Sequence, residues 1–287
     1  MNKINGFLYG LLSSASFGLI PLFTLPAMHQ GMNFESILLY RFLFAALALA
    51  AILLLNGQSF RIRLQEIPSL LLLAVLYLMS AVFLFWGYKL MPSGVATTLH
   101  FMYPVFTTLI MMIIFHEKRS IWRFAAIALA VTGVYFLSSG DGSGAVTLIG
   151  IFIVLISALG YALYLVTVSQ LKVLQMKGLK LTFYVFIFGS FMLFMGIAPT
   201  SGVQAIPNWD VAGHLLMLAL IPTVVSNLAL VRAVKSIGST LTSVLGAMEP
   251  VTAVCVGIFI FGEAVTTGIG LGIGLIIAAV TVIILKR

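Results

Sequence analysis

Long, nearly uninterrupted apolar runs alternate with short polar connections along the whole chain. Each run is about 20 residues long, which is enough for a helix to cross a bilayer, whereas barrel strands alternate apolar and polar positions over about ten residues. Ten runs are predicted to span a membrane, over residues 6–24, 34–55, 68–88, 95–115, 121–138, 147–168, 181–199, 211–231, 239–261 and 267–285. The short connections leave no room for a separate extramembrane domain.

The composition agrees with this pattern. Hydrophobic residues make up 62% of the chain and charged residues 8%, with a mean hydropathy of +1.20. Soluble domains carry about a quarter charged residues, so lipid must cover most of this surface. Because backbone polar groups in lipid have to pair within their own segment, the predicted fold class is an all-α integral membrane protein with ten transmembrane helices.

Several other kinds of site are excluded by the pattern. The basic residues are dispersed among loops, so no nucleic acid partner is expected despite the net charge of +8. Cys255 is the only cysteine and the four His residues lack ligand spacing, so neither an internal disulfide nor a metal site is expected. The glycine run from Gly268 to Gly274 follows no strand and suits close helix packing, so no nucleotide cofactor is expected.

The basic residues lie almost all on one side of the predicted topology. With the N-terminus on the first side, these fall there: Lys3, Arg61, Arg63, Lys118, Arg119, Arg123, Lys172, Lys177, Lys180, Arg232, Lys235, Lys286 and Arg287. Only Arg41 and Lys89 fall on the other side. Cytoplasmic loops carry the excess of Lys and Arg, so both termini are predicted to be cytoplasmic in an inner-membrane protein.

A block running from a proline to a glutamate occurs twice. The copies are Tyr103-Pro104-Val105 through Glu117 and Glu249-Pro250-Val251 through Glu263, with a proline-to-glutamate spacing of 13 residues in both. The offset of 146 residues between them pairs further positions: Lys89 with Lys235, Ser93 with Ser239, Leu99 with Leu245, and Met102 with Met248. The chain is therefore predicted to consist of two related halves, residues 1–140 and 147–287.

The two halves are predicted to cross the membrane in opposite directions. Each holds five spans, and an odd number turns the second half upside down relative to the first. Their N-terminal parts also align, pairing Gly6 with Gly150 and Ser13 with Ser157. Two inverted five-helix repeats around a site near mid-depth are a common plan of secondary transporters.

Several motifs in both halves match one known group. They are Arg41-Phe42-Leu43-Phe44-Ala45, Pro104-Val105 through Glu117, Ser157-Ala158 through Tyr164, Gly238-Ser239-Thr240, and Glu249-Pro250-Val251 through Glu263. With these motifs each half resembles an EamA domain of the drug/metabolite transporter superfamily. One departure is Phe17-Gly18 at the end of the first span, where members often have Trp-Gly. The resemblance implies ten helices in inverted repeats and a central cavity for small metabolites, often amino acids moving outward.

Glu249 is the sharpest candidate for chemistry because it lies within the ninth run. A charged side chain at that depth costs roughly 2.5–3.5 kcal/mol, so Glu249 must face a cavity, be paired or be protonated. The functional hypothesis is a site for a substrate amine or for proton coupling. The alternative is a structural carboxylate that bonds the other repeat. Pro250 removes a backbone donor and predicts a kink at the same depth.

His100 and Tyr103 lie three residues apart and share a helix face. The repeat alignment pairs Tyr103 with Glu249, which predicts that both lie near the pseudo-twofold axis. His100 is a candidate for binding substrate or accepting a proton. Its alternative role is that of a helix histidine satisfied by a neighbouring hydroxyl.

Five further side chains are candidates for substrate binding: Arg41, Trp86, Tyr161, Tyr164 and Asn227. Arg41 suits a bidentate contact with a carboxylate; alternatively it reaches lipid headgroups or pairs with Glu35. Tyr161 and Tyr164 share a helix face and suit a cavity wall, whereas Trp86 is also typical of an interfacial aromatic belt. Asn227 needs a partner, either a second helix or the substrate.

The leading hypothesis is a secondary transporter of the inner membrane that moves a small organic metabolite by alternating access. The favoured substrate is an amino acid or related compound, and the favoured direction is export. Since no nucleotide-binding motif is present, a substrate or proton gradient must supply the energy, with Glu249 as the proton-coupling residue. The expected partners are the substrate, membrane lipid and protons, and the oligomeric state is open. The alternatives are a polytopic membrane enzyme acting on a lipid-linked substrate, and a structural subunit.

Overall fold

The computed structural model describes residues 3–115, 121–138, 147–170, 176, 178–199, 202–246, 248–264 and 266–285. Every regular element in these ranges is helical. The helices are α1 (Lys3–Phe17), α2 (Ile20–His29), α3 (Phe34–Leu55), α4 (Ile67–Leu90), α5 (Ser93–His100), α6 (Tyr103–Ile113), α7 (Ile121–Ser138), α8 (Leu148–Gln170), α9 (Gly178–Ile197), α10 (Trp209–Ala219), α11 (Ser226–Leu245), α12 (Met248–Phe261) and α13 (Thr267–Leu285). A π-helical turn, Leu220–Val225, joins α10 to α11. The all-α prediction is confirmed for these residues.

Seven segments of the described chain are long and apolar enough to cross a membrane. They are Ile4–His29, Phe34–Leu55, Leu64–Leu90, Ser93–Ile113, Leu148–Val168, Gly178–Ile197 and Trp209–Ala233. They coincide with the first four, the sixth, the seventh and the eighth predicted runs. The remaining runs correspond to α7, α12 and α13, which are not among the seven. The arrangement of ten spans in inverted repeats therefore stays a prediction.

Some residues used for the predicted topology lie outside the described ranges. They include Glu117 of the first Pro-to-Glu block and the basic residues Lys118, Arg119, Lys172, Lys177, Lys286 and Arg287. The described residues Arg61, Arg63, Lys180 and Arg232 mark one end of the molecule, called the basic end below.

Several predicted spans are interrupted near their middles. Gly18-Leu19 separates α1 from α2, and Phe101-Met102 separates α5 from α6. Pro104 and Pro250 each lie in the first turn of the helix that follows such a break, where a missing backbone donor costs nothing. The run predicted to kink at Pro250 is instead broken just before the proline, since α11 ends at Leu245 and α12 begins at Met248.

The largest helix contacts join the first half of the chain to the second. The pairs are α1 with α11, α3 with α9, α4 with α8, α5 with α12, and α7 with α13. Between them lies a core of large buried side chains that includes Phe42, Phe85 and Phe186. The two halves therefore share one core instead of packing as separate domains.

The chain reverses direction within α11. Three contacts trace it along α1: Ser226 with Ser13, Ile237 with Gly6, and Leu245 with Gly10. The first two run antiparallel to α1, and the third returns toward the middle of that helix. The eighth predicted run therefore ends, and the ninth begins, inside this element.

At the end of the molecule opposite the basic end, the carboxylate of Glu263 joins the two halves of the chain. The Glu263 side chain accepts hydrogen bonds from the Ser93 amide at 2.7 Å, the Ser93 hydroxyl at 2.6 Å and the Gly94 amide at 3.3 Å. These amides are unpaired donors at the start of α5, so the carboxylate caps that helix. Glu263 thereby fastens the turn after α12 to the first half of the chain.

Gln204 makes a second connection at the same end. Its amide donates to the Ser36 hydroxyl at 3.0 Å, its side-chain oxygen accepts from the Asn33 amide at 2.6 Å, and its carbonyl accepts from the Tyr40 hydroxyl at 2.8 Å. At the basic end, the Tyr184 hydroxyl donates to the Phe60 carbonyl and the Lys180 amine donates to the Arg61 carbonyl. The segment after α9 therefore bonds to the start of α3, and the segment after α3 bonds to the start of α9.

Candidate functional site

Tyr103 and Glu249 meet where α6 and α12 begin. The Tyr103 hydroxyl donates to Oε1 of Glu249 at 3.2 Å, and both side chains are buried. The second carboxylate oxygen of Glu249, Oε2, is buried without a partner among the described residues. A buried acceptor without a donor is costly, so this oxygen is a candidate contact for a ligand cation or a proton.

A glycine allows α1 to approach Glu249. A Cβ atom on Gly18 would lie 2.5 Å from the Glu249 carbonyl oxygen and 2.7 Å from Cβ of Thr252, so a larger residue would push the two helices apart. The adjoining Phe17 ring stacks at 6.2 Å from His100 and at 6.0 Å from Tyr161. The Phe17-Gly18 pair therefore forms part of the wall beside the carboxylate.

Ser157 fixes the tautomer of His100. The Ser157 hydroxyl donates its one proton to the Ser80 carbonyl at 2.6 Å, so it can only accept from Nδ1 of His100 at 2.9 Å. Neutral His100 then carries its proton on Nδ1 and an acceptor lone pair on Nε2. Nε2 is buried and has no partner among the described residues. The predicted alternative, a hydroxyl partner, accounts for one ring nitrogen and leaves the other available.

Arg41 is fully buried, which overturns the interpretation that it reaches the lipid headgroups or pairs with Glu35. Its side chain is 1% exposed, its Nε donates to the Thr223 hydroxyl at 2.7 Å, and its guanidinium carbon lies 5.5 Å from the centre of the Phe85 ring. The π-helical turn presents Thr223, whose hydroxyl donates to the Leu218 carbonyl at 2.8 Å. Nη2 of Arg41 has no partner among the described residues, so a positively charged hydrogen-bond donor is available inside the protein.

Tyr161 lies at the centre of an aromatic cluster that connects these groups. Its ring centre lies 4.7 Å from that of Tyr103, 5.4 Å from His100 and 6.0 Å from Tyr164. Tyr77 joins the cluster at 5.3 Å from Tyr164. Rings with polar tips form a wall that accepts an apolar body and still offers hydrogen bonds.

Asn227 and Trp86 have different surroundings. The Asn227 amide donates to the Thr223 carbonyl at 2.8 Å and to the Tyr77 hydroxyl at 3.3 Å, so it joins two helices beside the cluster. Trp86 is 41% exposed and packs against Phe83 at 6.0 Å. The structure therefore brings together every predicted site residue except Trp86, whose position fits the aromatic-belt alternative.

The site as a whole offers one positively charged hydrogen-bond donor, one neutral hydrogen-bond acceptor and one carboxylate. All three groups are buried, and each has an atom without a hydrogen-bond partner among the described residues. These are Arg41, His100 and Glu249. No group of three or more His, Cys, Asp or Glu side chains within the described ranges could hold a metal ion. The arrangement suits recognition of a small molecule that carries charges of both signs.

Comparison with known families decides the identity of the chain. A profile of the EamA-like transporter family matches residues 4–139 and again residues 148–285. The chain belongs to the EamA-like transporter family. The predicted resemblance is confirmed, and the protein is a membrane transporter.

Two known proteins are similar to this EamA transporter. It is 24% identical over 241 residues to the uncharacterized transporter YdfC of Bacillus subtilis (strain 168), a match that covers 83% of this chain and 77% of that relative. It also resembles a solved crystal structure of a protein with a TM-score of 0.73 and 14% identity, over 99% of this chain and 98% of the other. At that identity the second likeness concerns the fold alone. The family and the relative are both named as transporters, not as enzymes.

Sequence reasoning missed two residues that position the site of this EamA transporter. Thr223 holds Arg41, and the Ser80 carbonyl orders Ser157 and hence His100. Ser and Thr are common in apolar helices, where their hydroxyls bond the helix's own backbone. The residue type alone therefore does not indicate that Thr223 or Ser80 belongs to the site. The repeat offset of 146 pairs Ser80 with Ser226, and that pairing was the one available clue.

Proposed function

We propose that this EamA transporter is a secondary transporter of two inverted five-helix repeats that moves a small zwitterion by alternating access. The favoured substrate is an amino acid or a close relative. The observation that carries the proposal is the set of unpartnered buried atoms of Arg41, His100 and Glu249. A substrate carboxylate suits Nη2 of Arg41, and a substrate ammonium suits Oε2 of Glu249 and Nε2 of His100.

Reciprocal contacts between the halves support the inverted repeat. If a twofold axis relates two halves, every contact between them recurs between the two repeat partners. Three such pairs are Gly6 against Ile237 with Gly150 against Met91, Ser226 to Ser13 with Ser157 to Ser80, and Tyr40 to Gln204 with Tyr184 to Phe60. The residue numbers of all these partners differ by 144 or 146, for example 150 − 6 = 144 and 237 − 91 = 146.

Two contacts join residues to their own repeat partners. Tyr103 bonds Glu249 across an offset of 146 residues, and the Phe42 and Phe186 ring centres lie 5.2 Å apart across an offset of 144. A residue that touches its own partner lies beside the symmetry axis. This supports a substrate site on the axis, where a small rocking of the repeats exposes the same groups to either side.

The inverted topology makes a prediction about accessibility. In a Cys255→Ser background, a cysteine at Ala264 is expected to react with a membrane-impermeant maleimide in intact cells, because the loop after α12 faces outward. A cysteine at Ser120 is expected to react only after permeabilisation, because it is predicted to face the cytoplasm with both termini. Reaction of both cysteines from one side would disprove the inverted arrangement.

A proton gradient is the proposed energy source, with Glu249 as the group that exchanges a proton for the substrate ammonium. One carboxylate that binds either cation in turn couples the two movements, because it cannot hold both at once. The inner membrane maintains such a gradient, and the basic end is proposed to face the cytoplasm. Inward movement of protons then drives export of the substrate.

Purified protein in liposomes tests the function directly. Amino acids are first screened by thermal unfolding, since a ligand at about 100 times its Kd stabilises the folded state by about 2.7 kcal/mol. The selected compound is expected to show saturable flux, which amino acids compete for and their amides and N-acetyl derivatives do not. Protein-free liposomes are the control. Competition by the amide as strong as by the parent compound would contradict recognition of the carboxylate.

A further inference from the structure

A cavity lies at the basic end, lined by other residues than those of the central cluster. It has a volume of about 340 Å³ and lies between the end of α3, the start of α9 and the first half of α11. Asn56, Gln58 and Arg232 provide its polar lining, and the remaining lining residues are Ile52, Gly178, Leu179, Leu228 and Val231. None of the described residues that line it is acidic. We call this space the basic-end cavity.

The lining chemistry favours a particular class of ligand. The Arg232 guanidinium carbon lies 5.4 Å from the centre of the Tyr9 ring, and no described residue accepts a hydrogen bond from its N–H groups. Four of the other lining residues, Ile52, Leu179, Leu228 and Val231, are aliphatic. A guanidinium beside apolar walls suits a carboxylate that is attached to an apolar body, because the anion pairs with Arg232 while the body leaves water.

The repeat would place a counterpart of this cavity at the other end of the molecule, but the residues at the repeat-related positions differ. The repeat partners of Gly178, Val231 and Arg232 are Phe34, Phe85 and Trp86, which are all larger or lack charge. A Cβ on Gly178 would lie 2.2 Å from Cγ1 of Val231, so the close approach of α9 to α11 beside the cavity depends on glycine at this position. Three lining residues of the basic-end cavity therefore have no equivalent at the repeat-related positions of the other half.

The same helices connect the basic-end cavity to the central site. Ile52 and Arg41 are 11 residues apart on α3, which is about 16 Å along an α-helix. Arg232 and Thr223, the partner of Arg41, are nine residues apart, or about 14 Å. A path from the basic end to the middle of the protein would therefore pass first Arg232 and then Arg41.

We propose that the basic-end cavity is a second binding site for a small organic carboxylate with an apolar body, which Arg232 holds before the molecule reaches Arg41. This inference rests on the proposed transport function. Because the repeat-related residues of the other half do not reproduce its lining, the site would load substrate from the side of the basic end.

Calorimetric titration with 4-phenylbutyrate tests the proposal, because this probe has the carboxylate and the apolar body but no ammonium. The full chain is placed in phosphatidylcholine nanodiscs in an Arg41→Gln background, which removes the central guanidinium. We expect one remaining site. Arg232→Gln should weaken it at least about tenfold, as expected for loss of one charge-assisted hydrogen bond. Arg61→Gln removes the same charge from the same end outside the cavity and should leave binding unchanged.

A second variant tests the shape of the cavity. Val231→Phe introduces the residue that occupies the repeat-related position, and it is expected to abolish probe binding while the protein stays monodisperse. 4-Phenylbutanol should not bind the parent protein, because it lacks the anion. Equal binding of 4-phenylbutyrate by Arg232→Gln and Arg61→Gln would overturn the proposal.

Lipid is the other source of an anionic amphiphile. If nanodiscs containing phosphatidylglycerol weaken 4-phenylbutyrate binding more than tenfold, the cavity is a headgroup site and the proposed small-molecule site is wrong. Unchanged affinity in both lipids supports the proposal. Because the titration needs no flux, absent probe binding with normal transport removes only this inference. Intact probe binding without saturable flux removes only the proposed function.

Discussion

Glutamine at position 249 is expected to reduce pH-gradient-driven transport to the level of protein-free liposomes. Gln has the shape of Glu and can still accept the hydrogen bond from Tyr103, but it can neither release a proton nor pair with an ammonium. Since Oε2 has no hydrogen-bond partner among the described residues, no acid bonded to this oxygen can take over its proton. The measurement is uptake of the selected amino acid into proteoliposomes across an imposed pH gradient.

Two controls separate this effect from a general loss of folding. Glu35→Gln removes a carboxylate in the first turn of α3, outside the cluster, and should leave transport unchanged. Tyr103→Phe removes only the 3.2 Å hydrogen bond to Glu249. A hydrogen bond from a neutral donor to a charged group contributes about 1.5–3 kcal/mol. That variant should be impaired but still coupled to the gradient. Gradient-driven transport at the normal rate by Glu249→Gln would remove Glu249 from the mechanism.

The fold could be predicted from sequence to the extent that hydrophobicity determines it. Run lengths and the scarcity of charge predicted helices, and seven predicted runs correspond to membrane-length segments. Helix breaks were harder to predict, because a break inside an apolar run leaves the composition unchanged. Gly18-Leu19 and Phe101-Met102 read as continuous helix, and Pro250 suggested a bend where a new helix in fact begins.

The site could be predicted where polarity contrasts with its surroundings. Glu249, His100, Tyr103 and Arg41 stood out in apolar segments, and the structure brings all four into one buried region. The depth of Arg41 could not be predicted, because a long side chain near the start of a span can equally extend toward water. Only the tertiary contact with Thr223, across an interval of 182 residues, determines its direction.

Replacing Arg41 with glutamine is expected to raise the substrate concentration for half-maximal transport by about 100-fold, if two charge-assisted bonds of about 1.5 kcal/mol each are lost. Arg41→Lys keeps the charge, but an ammonium cannot bond Thr223 and form a paired contact with a carboxylate, so its defect should be intermediate. Arg63→Gln, which removes an exposed charge, is the matched control. Discrimination between the amino acid and its amide should disappear in Arg41→Gln alone.

The same substitution separates binding from structure, because function and stability should change in opposite directions. Within the described residues no carboxylate forms an ion pair with Arg41, and its Nη2 is buried without a partner. A buried charge without a counter-ion is a net cost, and its replacement by a neutral group is often neutral or stabilising. The substrate-free Arg41→Gln protein should therefore unfold at the same temperature as the parent or a higher one. A lower unfolding temperature together with unaltered transport would mean that Arg41 serves the fold and not the substrate.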